Sequence, residues 1–186
     1  MKNLIQYDKK GGDDQYTPIY GVECILPHIQ HLKNKKFWLP FDTEKSAFYR
    51  VLTKNGFNVI ATSIETGTDF LTAEPPDFDV ILSNPPYKNK RLYIERALSF
   101  NKPFAFLLPI NILSDGVINN VFSDNEVQFL IPDRRMIFYH SEKGLRDRPS
   151  FKASYIGRNF FQKQIIFVNI NLKDENGFEV FERNKI

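Results

Sequence analysis

A rigid tetrapeptide directly after an apolar run is the part of this sequence whose residue types most clearly suit chemistry. Residues 79–82 read Asp-Val-Ile-Leu, typical of a buried strand, and Asn84-Pro85-Pro86-Tyr87 follows after one serine. Two consecutive prolines carry no N–H groups and hold φ near about −65°, so the loop presents only acceptors in a fixed geometry. The loop also follows the carboxyl end of a strand, where open α/β sheets bind ligands.

Two acceptors in this loop can bind the same amino group: the side-chain carbonyl of Asn84 and the backbone carbonyl of Pro85. An exocyclic amine or an amide nitrogen is a poor nucleophile because its lone pair is delocalised. Acceptors on its hydrogens favour pyramidal geometry, and they stabilise the positive charge that develops when the nitrogen receives a carbon. Tyr87 offers a flat face on which a flipped base can stack. The alternative interpretation is an ordinary proline-rich turn.

The elements that must position this loop follow from hydrophobic periodicity. Strand-like runs occupy residues 37–41, 57–61, 78–82 and 104–108, and helical spacing occupies residues 19–32, 42–55, 90–100 and 110–122. Pro27 predicts a kink or a break in the first of these helices. Alternation of this kind predicts a parallel sheet with helices on both faces. Runs at 127–131, 136–139 and 164–170 follow without an intervening helix, which predicts an antiparallel edge.

Length and composition limit the classes of protein to consider. A chain of 186 residues with 42% hydrophobic residues fits one domain with a substantial core, and we expect a flexible arm at 1–14 and one domain at 15–186. A net charge of +3 excludes polybasic tails and acidic disordered chains but permits nucleic acid as a partner. The single Cys24 excludes an intrachain disulfide, and His28 and His31 lack further ligands for a metal. No signal peptide or membrane span is evident, so we expect a cytoplasmic protein.

Asn84-Pro85-Pro86-Tyr87 resembles the catalytic motif of the S-adenosylmethionine-dependent amino-methyltransferases, chiefly the N6-adenine DNA methyltransferases. The order of elements agrees over residues 15–170, and the chain is similar to small phage-type members. The resemblance implies a Rossmann-like class I methyltransferase fold of the α/β class, with a mostly parallel seven-stranded sheet, an antiparallel edge and helices on both faces. It also implies methyl transfer from S-adenosylmethionine to an exocyclic amino nitrogen, with adenine N6 in DNA as the first expectation and the four motif residues as the catalytic ones.

The turn after the first strand of the sheet is where the family usually carries glycines, and residues 40–46 contain none. The resemblance implies that Asp42 accepts from the ammonium group of the cofactor and that Phe41 lies against its sulfonium. Ser46 would bind the carboxylate beside the N–H groups of a first helical turn. Asp42 could equally be the N-cap of the following helix.

Five other residues are expected at the cofactor by the same resemblance. Tyr16 and Thr17 belong to a segment that covers the methionine end of the cofactor. Glu65, shortly after the second strand, is the candidate for the two ribose hydroxyls. Asp69 would accept from the adenine amino group, and Phe70 would pack on the adenine ring.

Basic residues follow the motif and the late strands, where they could meet phosphates at the mouth of the site. The substrate-binding candidates are Lys88, Lys90, Arg91, Arg134 and Arg135, with Lys143, Arg146, Arg148, Lys152 and Arg158 nearby. A solvated loop is the alternative.

Nucleic acid, first of all DNA, is therefore the expected partner. We expect no separate recognition domain of ~100 residues in a chain of this length, so a recognition subunit or a homo-oligomer is a further expected partner. RNA adenine or protein glutamine methylation, or a degenerate protein that binds without turnover, stay as alternatives.

Overall fold

The computed structural model describes residues 15–114, 116, 120–122, 126–140, 146–147 and 151–170. The expected arm at 1–14 and the basic residues Lys143 and Arg148 lie outside them. The α-helices described are α1 (Ile19–Glu23), α2 (Ala47–Lys54) and α3 (Lys90–Ser99). The strands described are β1 (Gln15–Tyr16), β2 (Lys36–Leu39), β3 (Asn58–Ala61), β4 (Val80–Ser83), β5 (Phe104–Pro109), β6 (Gln128–Pro132), β7 (Phe138–His140), β8 (Arg146–Asp147), β9 (Ala153–Arg158) and β10 (Ile165–Val168).

Seven of these strands form one sheet in the order β10-β6-β9-β5-β4-β2-β3, and β1, β7 and β8 form a separate three-stranded sheet. All neighbours in the large sheet are parallel except β9, which runs antiparallel to both β5 and β6. This arrangement confirms the predicted Rossmann-like, mostly parallel seven-stranded sheet with an antiparallel component. The antiparallel strand lies third from one edge, and the outermost strand, β10, is parallel to β6.

Strand β9 has no counterpart among the runs found in the sequence, and the run at 136–139 contributes instead to β7 in the small sheet. The close approach of β5 explains the glycine at position 157 of β9. A Cβ there would lie 2.1 Å from the carbonyl oxygen of Phe104 and 2.9 Å from the Cα of Ala105. The backbones of β9 and β5 therefore approach more closely than any side chain at this position allows.

Two predicted helices are shorter in the structure than in the sequence pattern. The helix expected at 19–32 ends at Glu23, and single 3₁₀ turns at Leu26–His28 and Gln30–Leu32 follow it, as Pro27 predicts. The helix expected at 42–55 begins at Ala47, because Ser46 is the N-cap and its side chain accepts from the backbone N–H of Tyr49 at 3.2 Å. The interpretation of Asp42 as the cap is therefore wrong.

Helices cover both faces of the large sheet, so the inner strands alternate between two apolar clusters. In β4, Val80 and Leu82 pack in the cluster that contains the buried residues of α2, whereas Ile81 packs in the cluster that contains those of α3. This double burial fixes the strands and therefore the loops that leave their carboxyl ends. None of the helices described is long and apolar enough to cross a membrane.

Candidate active site

A cavity of about 510 Å³ lies at the carboxyl ends of β2, β3 and β4, which is within the ~300–1,000 Å³ typical of small-molecule sites. Adjacent parallel strands end at the same edge of a sheet, so the loops after β2, β3 and β4 converge there. Every residue predicted to be catalytic or to bind cofactor lines this cavity: Tyr16, Thr17, Phe41, Asp42, Ser46, Glu65, Asp69, Phe70, Asn84, Pro85, Pro86 and Tyr87.

The five predicted phosphate-binding residues do not belong to the cavity wall. Arg91 pairs with Glu95 at 2.8 Å, one turn further along α3. Arg134 pairs with the adjacent Asp133 at 2.9 Å. Arg134 and Arg135 are exposed and follow β6, whose carboxyl end lies at the same edge of the sheet as the cavity. These cations are thus outside the cavity, and their role with phosphates stays a prediction.

The loop from Asn84 to Tyr87 is held from outside by residues next to the small sheet. Asn84 Nδ2 donates to Thr17 Oγ1 at 3.1 Å, and Thr17 directly follows β1. The ring of Tyr87 packs edge-on against Phe151, with centroids 5.1 Å apart and an interplanar angle of 89°. The ring of Phe151 in turn packs near that of Phe138 in β7, with centroids 6.1 Å apart. The loop is therefore fixed both by its own prolines and by two contacts to a second sheet.

Thr17 contacts the acceptor loop directly, which the sequence did not predict. The sequence assigned it to the cofactor, whereas in the structure its hydroxyl orients the amide of Asn84. Asn84 Oδ1 is covered by protein in this arrangement. The hydrogen bond to Thr17 thus defines the orientation of the Asn84 amide.

Asp42 is the buried carboxylate of the cavity, with 7% of its surface exposed. Its backbone N–H donates to the carbonyl of Thr62 at 3.0 Å, and its carboxylate accepts from the hydroxyl of Ser83 at the end of β4. Burial raises the pKa of Asp42 from 3.8 to about 6, and hydrogen bonds from Ser83 and Ser46 oppose that rise. A cationic ligand that arrives beside Asp42 would favour its ionised form.

The segment after β3 carries the other two carboxylates that line the cavity. Glu65 is exposed and lies in the 3₁₀ turn Ile64–Thr66 that follows β3. Asp69 Oδ1 accepts from the backbone N–H of Leu71 at 2.9 Å, which fixes the side chain in an Asx turn. Both carboxylates are therefore presented by short, locally stabilised turns.

The two aromatic cofactor candidates differ in how much ring they offer. Phe70 is only 2% exposed. Its ring centroid lies 5.2 Å from that of Trp38 and 5.0 Å from that of Phe41. Phe41 also packs on Tyr93 at 4.8 Å but is only partly buried. The structure thus makes Phe70 mainly a core residue that supports the wall. Phe41 retains more surface for a ligand.

Several wall residues escaped sequence reasoning, above all Ile64, which is half exposed although it is a large apolar residue. Its signal in the sequence is a lone apolar residue in the polar stretch Thr-Ser-Ile-Glu-Thr, directly before Glu65. An exposed apolar side chain beside a carboxylate suits a flat ring that also carries hydroxyls. The other unpredicted wall residues are Pro40, Thr43, Lys45, Ala47, Ser63, Thr68 and Tyr93.

The part of the chain that the structure describes contains no cluster of three or more metal-binding side chains. Cys24 donates to the carbonyl of Gly21 at 3.1 Å, and burial raises the pKa of its thiol to about 12. A thiol held in this way is a poor nucleophile, since the thiolate is the reactive form. The residues that line the cavity supply carboxylates, one lysine ammonium, amide and backbone carbonyls, hydroxyls and aromatic rings.

No protein-family model matches the chain. In sequence it is similar to the type II methyltransferase M.EcoRI of Escherichia coli, with 22% identity over 107 residues, which is 52% of this chain and 33% of that protein. The chain thus spans about a third of the length of the curated relative it matches.

In fold, the chain is similar to two methyltransferase structures. One is the methyltransferase subunit of a type I restriction-modification system from Streptococcus thermophilus, with a TM-score of 0.44, 13% identity and coverage of 86% of this chain and 48% of that one. The other is a predicted O-methyltransferase from Agrobacterium tumefaciens, with a TM-score of 0.45, 7% identity and coverage of 82% and 84%. The strand order of the chain itself identifies the fold. The similarity to M.EcoRI supports the predicted resemblance at the level of methyltransferases.

Proposed function

We propose that this protein is an S-adenosylmethionine-dependent methyltransferase that acts on an exocyclic amino nitrogen, first of all adenine N6 in DNA. One observation carries the proposal: a single cavity joins the Asn-Pro-Pro-Tyr loop to a wall with three separated carboxylates. A transfer enzyme must hold the donor and the acceptor against each other, and this cavity provides one face for each.

The carboxylate wall suits the shape and charge of S-adenosylmethionine. Asp42 would accept from the ammonium group, Glu65 from the ribose hydroxyls and Asp69 from the adenine amino group. Phe41 would lie against the sulfonium, and Ile64 would contact the apolar face of the adenine. The cofactor supplies a methyl group made electrophilic by its positively charged sulfur.

The residues of the acceptor loop would prepare the nitrogen that receives this methyl group. The carbonyls of Asn84 and Pro85 accept from its two hydrogens, which frees its lone pair for attack and stabilises the positive charge that forms on it. The N–C bond forms as the S–C bond breaks, and the nitrogen then loses one proton to water. Tyr87 would stack on a flipped base, and its contact with Phe151 keeps the ring in one orientation.

DNA as substrate is supported by the similarity to M.EcoRI and by the exposed cations at the same edge of the sheet. Lys88 and Arg91 follow the acceptor loop on one side, and Arg134 and Arg135 follow β6 on the other. Phosphates between these two groups would place a flipped base near Tyr87. A recognition subunit or a second copy of the chain is the proposed partner for the selection of a DNA sequence.

The test is transfer of a labelled methyl group from S-adenosylmethionine to duplex DNA, single-stranded RNA and protein, with Asn84→Ala as the control. The expected result is label on N6 of adenine in DNA from the wild-type protein, with binding that weakens steeply as salt increases. Label in RNA or on glutamine would instead identify RNA or protein as the substrate. Cofactor binding without transfer to any substrate class would favour a protein that binds without turnover.

A further inference from the structure

We propose that the ammonium group of Lys45 binds the carboxylate of the methionine end of the cofactor, a task that glycine-rich turns perform with backbone N–H groups. This inference rests on the proposed function, because it assumes a ligand with an amino-acid end. It assigns a role to a residue that the Asn-Pro-Pro-Tyr motif does not predict.

The first support is the charge of the cavity wall. Four charged residues line it, namely Asp42, Glu65, Asp69 and Lys45, so Lys45 is the one cation in the wall formed by the described residues. The proposed cofactor carries two positive groups, the sulfonium and the ammonium, and one carboxylate. The single negative group of the ligand therefore has one oppositely charged residue to meet in this cavity.

The second support is the position of Lys45 in the turn between β2 and α2. It lies three residues after Asp42, the candidate partner of the cofactor ammonium, and next to the N-cap Ser46. The ammonium and the carboxylate of an amino acid are separated by only one carbon. A cation on the same turn as Asp42 is thus where the carboxylate of a ligand bound at Asp42 must be satisfied.

The third support is that much of the donor capacity of this turn is already used. The N–H of Asp42 donates to Thr62, that of Lys45 to Thr43 Oγ1 at 3.4 Å, and that of Ser46 to the carbonyl of Thr43 at 3.0 Å. Ser46 Oγ caps α2, and its hydroxyl is also engaged with Asp42. The N–H groups of Asp42, Lys45 and Ser46 are thus engaged, and a carboxylate that arrives here gains from another donor.

Lys45 can supply that donor. Within the described part of the chain, no carboxylate forms an ion pair with Lys45. Its side chain is exposed, so the carboxylate of a ligand can pair with the ammonium group without displacing an existing ion pair.

The experiment compares two ligands that share the adenosine end and differ in the amino-acid end. S-adenosylhomocysteine carries the carboxylate, whereas 5′-methylthioadenosine lacks the whole amino-acid moiety. Calorimetry measures both affinities for the wild-type protein and for Lys45→Met, Lys45→Arg and Lys54→Met. Lys54 is the matched control, because it is exposed at the end of α2 and does not line the cavity.

We expect Lys45→Met to lower the affinity for S-adenosylhomocysteine by about tenfold and to change the affinity for 5′-methylthioadenosine by less than about twofold. Lys45→Arg should retain most of the affinity for S-adenosylhomocysteine. Lys54→Met should change neither. An equal loss for both ligands, or no loss for S-adenosylhomocysteine, would overturn the role of Lys45 while leaving the proposed function intact. If the wild-type protein binds neither ligand, the proposed function fails and the inference fails with it.

Discussion

The two faces of the cavity obtain their polar groups in different ways. The acceptor loop from Asn84 to Tyr87 is stiffened by prolines and supported from outside by Thr17 and Phe151. The cofactor turn at residues 40–46 has no glycine, and its functional groups are on side chains. The contrast indicates that substitutions in the acceptor loop should change the rate of transfer, whereas substitutions in the turn should change cofactor affinity.

The largest expected effect is on the acceptor face. Asn84→Ala removes one of the two proposed acceptors, and we expect the rate of transfer to fall by about a thousandfold. The affinity for S-adenosylhomocysteine should stay within about twofold of the wild-type value. Transfer measured with saturating cofactor, together with calorimetry, separates the two quantities. A loss of cofactor affinity of the same size as the loss of rate would remove the distinction between the two faces.

The second effect is on the cofactor face. Asp42→Asn replaces a charged partner of the cofactor ammonium with a neutral one, so we expect the affinity for S-adenosylhomocysteine to fall by about thirtyfold at pH 8. The rate at saturating cofactor should change far less than in Asn84→Ala. Calorimetry measures the affinity, and saturation kinetics measure the rate of transfer. If affinity is unchanged, Asp42 serves the structure through Ser83 and does not bind the ligand.

The pH dependence of cofactor binding is the third expectation. Because burial raises the pKa of Asp42 to about 6, its carboxylate is protonated below that pH and loses its attraction for an ammonium group. The affinity for S-adenosylhomocysteine should therefore increase as the pH rises from 5 to 7, by about tenfold. In Asp42→Asn the same titration should be flat over this range. A slope that persists in the variant would assign the titration to another group.

A smaller effect on the rate of transfer is expected at Thr17, a residue that could act on either face of the cavity. Thr17→Val removes the hydroxyl that accepts from Asn84 Nδ2 while it keeps the shape of the side chain. The rate of transfer should fall by about fivefold, cofactor affinity should stay constant, and Thr17→Ser should restore the rate. If affinity falls instead of the rate, Thr17 belongs to the cofactor face, as the sequence resemblance implied.

Sequence reasoning located the acceptor loop and the large sheet because both depend on local signals. An apolar run before Asn-Pro-Pro-Tyr identifies the end of a strand, and alternating periodicities identify the strand–helix units. The same reasoning missed β9, because Ala153, Ser154 and Gly157 are not typical strand residues. Gly157 is required by the close approach of β5, which is a long-range contact that no local pattern contains.

Tertiary contacts also decided the roles of residues in the cofactor turn. Asp42 and Ser46 are both good N-cap types, and only the tertiary structure shows that Ser46 caps α2 whereas Asp42 accepts from Ser83 and lines the cavity. Phe70 was expected against the cofactor adenine, yet its contacts with Trp38 and Phe41 place it mainly in the core. Lys45 carried no signal in the sequence, since an exposed lysine in a turn is ordinary.

A single-turnover transfer experiment tests the central claim most directly, namely that one cavity holds the donor and the acceptor nitrogen together. The protein, loaded with S-adenosylmethionine carrying a labelled methyl group, is mixed with duplex DNA, and the labelled nucleoside is identified. The account predicts N6-methyladenine from the wild-type protein and almost none from Asn84→Ala, although both bind the cofactor equally. Equal transfer by the two proteins, or label on an oxygen or a carbon atom, would contradict it.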